Sequence, residues 1–288
     1  MPDLSIDFRR LAHRTLYGAT CLAARLAPLP QPQRQRHQAI RVMGLSFPSP
    51  LGIAAGFDRH GKLGRGAARL GFGFSELGTF DIARLPRWRT QPGDAVLGVN
   101  LGLPVAADAE TLRKGITRAW QAADYLMLNL LSPLSAALLA EPARLHEVLM
   151  LLRQQVDRLR EQSGRHVPLL VKLRCVPDEV PLELTERLRT LGYDGLLAAH
   201  DPGPPATAAR YRRWQQPSAQ YEACAQVAAL KAICGPQMAL LSVGGIQTAA
   251  HVQARRVAGA DLVQLHSALL QRGPWLARSL LPGGAPAS

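Results

Sequence analysis

The chain has 288 residues, 47% of them hydrophobic, and a formal charge of +13 from 34 basic and 21 acidic residues. That is enough chain for a full core in one large domain or two small ones. The charge favours anionic partners. Aromatics make up only 5%, and no helix-turn-helix, zinc-finger or RNP-type sequence is present, so nucleic acid is not an expected partner.

Residues 1–41 stand apart from the rest. Phe8, Leu11, Leu16, Leu22 and Leu26 mark one apolar face of a helix, with Arg9, Arg10, Arg14 and Arg25 elsewhere on it. Two readings are open: a helix packed across the following domain, or an interfacial helix with its apolar side in lipid and its arginines on lipid phosphates. "PLPQPQ" ends the helix, and a dense basic spot, "RQRHQAIR", follows at 34–41. The opening "MPDLSIDFRR" lacks the pattern of a secretory signal. No apolar run reaches the roughly 18 residues that span a bilayer. Cys21, Cys175, Cys224 and Cys234 form no C-x-x-C pair and have no histidine at zinc spacing. Reduced thiols, no metal and a cytoplasmic location are expected, with contact on the inner face of the cell membrane as the interfacial variant.

A barrel domain is expected over 42–288, and from residue 50 onward one unit repeats in it: a short apolar strand, a loop, usually a helix. The strands are expected at 50–56, 74–80, 95–102, 124–131, 167–173, 194–200, 238–245 and 262–269. Their near-continuous apolar character suits parallel strands buried on both faces. Helical patterns cover 62–70, 108–122, 142–162, 179–191, 219–233 and 248–258, while 81–94 carries none. Eight such units predict a (β/α)8 TIM barrel with a short N-terminal accessory helix.

In such a barrel the site forms at the C-terminal ends of the strands. Ala55, Gly56 and Arg59 follow the first strand, and Thr79 the second. Asn100 and Asn129 end the third and fourth, and Lys172 sits inside "LLVKL" of the fifth. Asparagine is disfavoured in strands and a buried unpaired ammonium is costly, so these residues need partners. A planar ligand with ring N–H and C=O groups would provide them. Gly244 and Gly245 precede a helix in "SVGGIQTAAHVQ", and His266 and Ser267 end the last strand. Bare glycine lets backbone N–H groups reach phosphate oxygens, and the helix dipole adds to this. A phosphate there, with lysine and amides in the mouth, describes a flavin mononucleotide (FMN) site. Ser132, before Pro133, reads locally as the cap of the next segment.

The order of these motifs resembles the class 2, quinone-linked dihydroorotate dehydrogenases. "PLGIAAGFDRHG", "GFGFSELGT", "LGVNLG" and "ADYLMLNLLSP" are similar to the family's first four strand regions. "VPLLVKL", "SVGGI" and "GADLVQLHSALLQRGP" are similar to the fifth, seventh and eighth. The resemblance implies FMN contacts from Ala55, Gly56, Thr79, Asn100, Asn129, Lys172, Gly244, Gly245, His266 and Ser267. It places Ser132 on the family's catalytic base, and Arg59, Asn129 and His200 beside the substrate. It implies a small cyclic substrate, a step of pyrimidine biosynthesis, a quinone acceptor and a membrane-facing N-terminal helix. The chain also departs from the family. Arg59 replaces a lysine, Leu134 replaces an asparagine, and Ala199-His200-Asp201 replaces Thr-Asn-Thr. The asparagine-rich substrate loop before the third strand is missing, and "GPPATAARYRRWQQPS" stands where the family has its Ser-Gly flavin loop. Flavin-side residues are mostly kept and substrate-side residues mostly lost. The alternative is therefore a paralogue that binds flavin or a partner without the family's catalysis.

Overall fold

The computed structural model describes residues 4–28, 39–177, 179–201 and 207–281, and of residues 4–11 only the backbone. The side chains of Phe8, Arg9, Arg10 and Leu11, and most of the basic stretch 34–41, lie outside the described residues. Helix α1 (Leu4–Leu26) comes first, then a short antiparallel hairpin of β1 (Ile40–Val42) and β2 (Leu45–Phe47). The barrel strands are β3 (Leu51–Asp58), β4 (Phe74–Asp81), β5 (Val96–Gly102), β6 (Tyr125–Asn129), β7 (Leu169–Arg174), β8 (Gly195–Ala199), β9 (Ala239–Val243) and β10 (Leu262–Leu265). All neighbouring pairs are parallel, and β10 returns to β3 to close the ring. This is the (β/α)8 barrel that the eight apolar runs predict.

The covering helices are α2 (Ala109–Ala122), α3 (Ala136–Leu139), α4 (Pro142–Ser163), α5 (Leu182–Thr190), α6 (Ala208–Arg213), α7 (Pro217–Cys234), α8 (Ala249–Val257), α9 (Ser267–Arg272) and α10 (Leu276–Leu280). The segment expected as a helix at 62–70 is a 3-10 helix at Gly64–Leu70. The eighth strand stops four residues earlier than expected, because Ser267 already opens α9.

Strand alternation separates two cores. Leu97, Val99 and Leu101 of β5 face the helices, whereas Val96, Gly98 and Asn100 face the barrel axis with Phe74, Tyr125, Leu170 and Leu241. At the foot, Phe47 from the hairpin meets Phe74 edge-on with ring centroids 5.5 Å apart. Gly98 makes room for Tyr125, since a Cβ there would lie 2.3 Å from the phenol ring.

A repeated latch also ties the foot together. Asp124, Asp194 and Asp261 precede β6, β8 and β10. Their carboxylates accept from the backbone N–H groups of Leu97, Leu169 and Leu240, each at 2.8 Å, at the start of the preceding strand. Each also binds a cation from the outer layer: Arg65 at 2.6 Å, Arg153 at 2.8 Å and Lys231 at 3.1 Å.

Helix α1 is anchored beside the other end of the barrel. Tyr17 Oη donates to Asp58 Oδ1 at 2.5 Å, and the fully buried Asp58 also accepts from Gly64 N at 2.7 Å. The rings of His13 and Tyr17 both meet Phe57 at 5.7 Å. Leu22 and Leu26 remain 56% and 75% exposed, so the helix does not use its whole apolar face in packing.

Candidate functional site

The C-terminal strand ends surround a cavity of about 600 Å³. Nine of the ten residues expected to hold a cofactor line it. Ala55 and Gly56 come from β3, Thr79 from β4, Asn129 from β6 and Lys172 from β7. The other four are Gly244 and Gly245 after β9, and His266 and Ser267 after β10. Asn100 is the tenth. It is fully buried just beneath, where its Oδ1 accepts from Thr79 Oγ1 at 2.7 Å and from Asn129 Nδ2 at 3.0 Å. The two strand asparagines thus order each other and fix the threonine.

Asn100 Nδ2 donates in turn to Glu76 Oε2 at 2.9 Å. Glu76 is fully buried on the inner face of β4, and sequence reading leaves it unassigned. Tyr125 Oη and Gln264 Nε2 also donate to it, at 3.0 and 2.5 Å. Burial pushes the Glu76 carboxyl pKa up, while the Lys172 charge and the three donors pull against this. Burial also lowers the pKa of Lys172, opposed by Glu76. One signal could have found Glu76: an acid in the middle of "FSELGTF" is as anomalous in a buried strand as Lys172 is.

Gln264 lines the same cavity, and its Oε1 is buried without a hydrogen-bond partner. An unsatisfied buried acceptor costs about 1–3 kcal/mol. The cavity floor therefore presents a cation and an open acceptor side by side, which suits a planar ligand carrying both acceptor and donor edges. His266 is kept neutral, its pKa lowered to about 4 by burial first and then by the charge of Lys172.

Gly244 and Gly245 both have positive φ, 108° and 74°. The Trp214 ring packs onto the second, where a Cβ would come within 2.1 Å of the indole. Gln220 Nε2 donates to Gly245 O at 2.8 Å and holds the turn. The next helix starts at Ala249, one residue after the expected 248. Thr248 caps α8, accepting from His251 N at 3.2 Å, so the glycines lie one turn ahead of the helix. Their backbone, rather than the helix terminus, offers the donors.

Ser132 lines the cavity and is 6% exposed. Its Oγ accepts from Leu134 N at 3.3 Å, capping the 3-10 turn at Pro133–Ser135. Cap and cavity wall are thus the same hydroxyl. Leu134 stands beside it at the rim, 39% exposed. Arg59 also reaches the mouth, with Nε donating to Gly56 O at 3.2 Å.

His200, expected beside the substrate, does not line this cavity. Its ring turns away from the mouth, with Nδ1 2.7 Å from Gln226 Oε1 and Nε2 3.1 Å from Ser242 Oγ. Ser242 on the outward side of β9 and Gln226 of α7 supply the polar partners that the apolar barrel interior at Leu197 and Ala199 does not. Asp201 does face the mouth, but Arg210 of α6 pairs with it, so the repulsion of a carboxylate ligand expected from that position is neutralised.

Fold and cavity define a (β/α)8-barrel protein with a polar ligand site at the C-terminal mouth. No family model matches the chain. A protein of Azoarcus sp. (strain BH72), named dihydroorotate dehydrogenase (quinone), is 31% identical over 314 residues, covering 93% of this chain and 92% of that one. The protein of the same name from Stenotrophomonas maltophilia (strain R551-3) is 31% identical over 325 residues, covering 95% and 88%. The chain belongs to the quinone-dependent dihydroorotate dehydrogenase family. Among solved structures, DHODH from Eimeria tenella in complex with ferulenol shares the fold with a TM-score of 0.71 at 21% identity, covering 97% of this chain and 90% of that one.

Proposed function

We propose that the chain is an FMN-dependent oxidoreductase that oxidises dihydroorotate or a related cyclic compound and passes the electrons to a quinone. The observation that carries this is the single cavity lined by nine of the ten expected cofactor residues together with Ser132 and Arg59. The donor set fits FMN: Gly244, Gly245 and Ser267 for the phosphate, and Lys172, Asn129 and Thr79 for the polar edge of the ring. The open Oε1 of Gln264 is a further acceptor for a ring N–H. When bound, FMN supplies the hydride acceptor.

Ser132 takes the proton from the substrate carbon. A serine hydroxyl is a weak base in water, and it acts only where a neighbour stabilises the oxygen and a route carries the proton away. The Leu134 N–H directed at Ser132 Oγ is one such neighbour. Arg59 keeps its terminal guanidinium nitrogens for a substrate carboxylate, while its Nε is held by Gly56 O. A second reading, a flavin-binding protein without the family's turnover, is favoured by Leu134. That residue offers no amide at the rim where the family has one.

The test is flavin absorbance of the purified protein, then its bleaching by dihydroorotate without oxygen. FMN should be present, with bleaching slower than in the family at large. Leu134 and the lost loop each remove a contact worth about 1–3 kcal/mol. Ser132→Ala should slow whatever bleaching remains by roughly 10²–10⁴-fold. A colourless protein that takes up no FMN would end the first reading. Bound flavin that dihydroorotate never bleaches would select the second.

Exposed Leu22 and Leu26, with Arg25 between them, support peripheral contact of α1 with acidic lipid. Among the described residues no helix is long and apolar enough to cross a membrane. Deleting residues 1–40 should abolish binding to acidic liposomes at low salt. Unchanged binding would refute the contact.

A further inference from the structure

A second cavity, of about 320 Å³, lies between the ends of β7 and β8 and helices α6 and α7. It shares only Asp201, Arg210 and Trp214 with the mouth, and His200 and Gln226 form its buried polar floor.

The polarity of that floor is set from beneath. Arg255 of α8 is fully buried, and among the described residues no carboxylate pairs with it. Its Nη1 points to Ser242 Oγ at 3.4 Å and its Nη2 donates to Gln220 Oε1 at 3.1 Å, while its Nε has no partner. A guanidinium has no acceptor atom, so Ser242 must accept from it. The Ser242 hydroxyl proton is then free to point at His200 Nε2. With Nε2 accepting that proton, the neutral ring carries its own on Nδ1, which donates to Gln226 Oε1. Gln226 is thereby oriented with its NH2 toward the cavity. The residue is 6% exposed, and Nε2 makes no hydrogen bond to a described residue. His200 stays neutral, its pKa lowered to about 3 by burial and then by Arg255, so the chain of donors keeps its direction across the physiological range.

The walls carry more basic than acidic side chains. Arg174, Arg210 and Arg213 face Asp201 and Glu222. Asp201 is neutralised by Arg210, and Arg174 pairs with exposed Glu179 at 2.9 Å. Arg213 makes no ion pair with a described residue, and Glu222 stays at the exposed rim. A buried cation below, a free cation at the side and an amide donor on the floor describe one kind of ligand.

We propose that this cavity is an oxyanion site, separate from the mouth, that takes a phosphate group, with Gln226 Nε2 and Arg213 as donors to its oxygens. The group is either free phosphate or the phosphate of a small monoester. The inference does not depend on flavin binding at the mouth.

Calorimetric titration of the full chain at fixed ionic strength tests it, with inorganic phosphate and glycerol 3-phosphate as probes. Saturable binding at this cavity is expected whether or not the mouth is first filled with FMN, and the tighter probe identifies the source. Gln226→Glu is isosteric and places a carboxylate on the floor. Arg213→Ser sits on an exposed helix and spares the fold if the buried change does not. Each should weaken binding roughly ten- to hundredfold, as for the loss of a charge-assisted hydrogen bond. Ser267→Asp, which puts negative charge at the mouth, should leave it unchanged. Absence of saturable binding overturns the proposal. So does binding that survives both cavity variants but disappears in Ser267→Asp, which would assign the anion to the mouth.

Discussion

Glu76 and Arg255 are both fully buried ions, set on opposite sides of the barrel wall, and they are treated in opposite ways. Glu76 faces inward, takes hydrogen bonds from Asn100, Tyr125 and Gln264, and has the Lys172 charge nearby. Arg255 faces outward, has neutral acceptors at Ser242 and Gln220 and the Trp214 ring 5.8 Å away, and its Nε–H is unpaired. The difference is one of closure. The inner network satisfies its own ion and leaves a cation and an amide oxygen at the surface of the mouth. The outer network leaves its charge uncompensated, and the nearest solvent-filled space feels it.

The largest effect should separate the two ions directly. Glu76→Ala strands three donors and leaves Lys172 without its counter-charge, so urea unfolding should show a loss of about 3–5 kcal/mol. Arg255→Met removes a buried charge that has no opposite partner and fills similar space, and should cost about 1 kcal/mol or less. Equal losses would break the comparison.

A pH series sharpens it. His266 and His200 titrate at about 4 and about 3 in the fold against 6.5 when unfolded, burial being the main cause for both. The unfolded chain therefore binds more protons below pH 6.5. Stability from these groups is complete above 6.5 and is lost as pH falls toward 4, by about 1.4 kcal/mol per unit for each histidine. His200→Gln should flatten the difference in unfolding free energy between pH 6 and 4 by one such slope. An unaltered slope would mean that His200 is charged in the fold, with Nε2–H donating to Ser242 Oγ instead of accepting from it.

The smallest effect concerns the mouth. Lys172→Ala should weaken FMN retention by roughly tenfold, for one charge-assisted contact. Arg255→Met should weaken retention less, because Arg255 reaches the mouth only through Gln220, which holds Gly245 O. Equilibrium dialysis with FMN reads both.

The barrel is legible in the sequence because strands covered on both faces must be apolar throughout, so "VPLLVKL" and "MALLSVGG" stand out without neighbours to compare. The mouth is legible for the converse reason: Asn100, Asn129 and Lys172 are misfits in such runs. His200 shows the limit. Counting along β8 puts it at the strand end, yet the direction of its ring depends on Ser242 and Gln226, 42 and 26 residues away. Arg255 could have been suspected, since it shares a helical face with buried Val252 three residues earlier. Nothing in "ARRV" distinguishes it from exposed Arg256 without that phase. The β1–β2 hairpin and α6 are too short to carry a period.

The three aspartates before β6, β8 and β10 have a consequence for how this barrel can change. Three of the eight strands, β6, β8 and β10, are pinned at the base to the strand before and to an outer cation, which fastens the ring from below. The loops at the opposite rim contribute little to that closure. A connection such as 82–95 can then be shortened, or the segment after β8 replaced by a basic helix, without unfastening a strand. Chemistry at the top of the molecule is interchangeable to the extent that these three carboxylates hold the bottom.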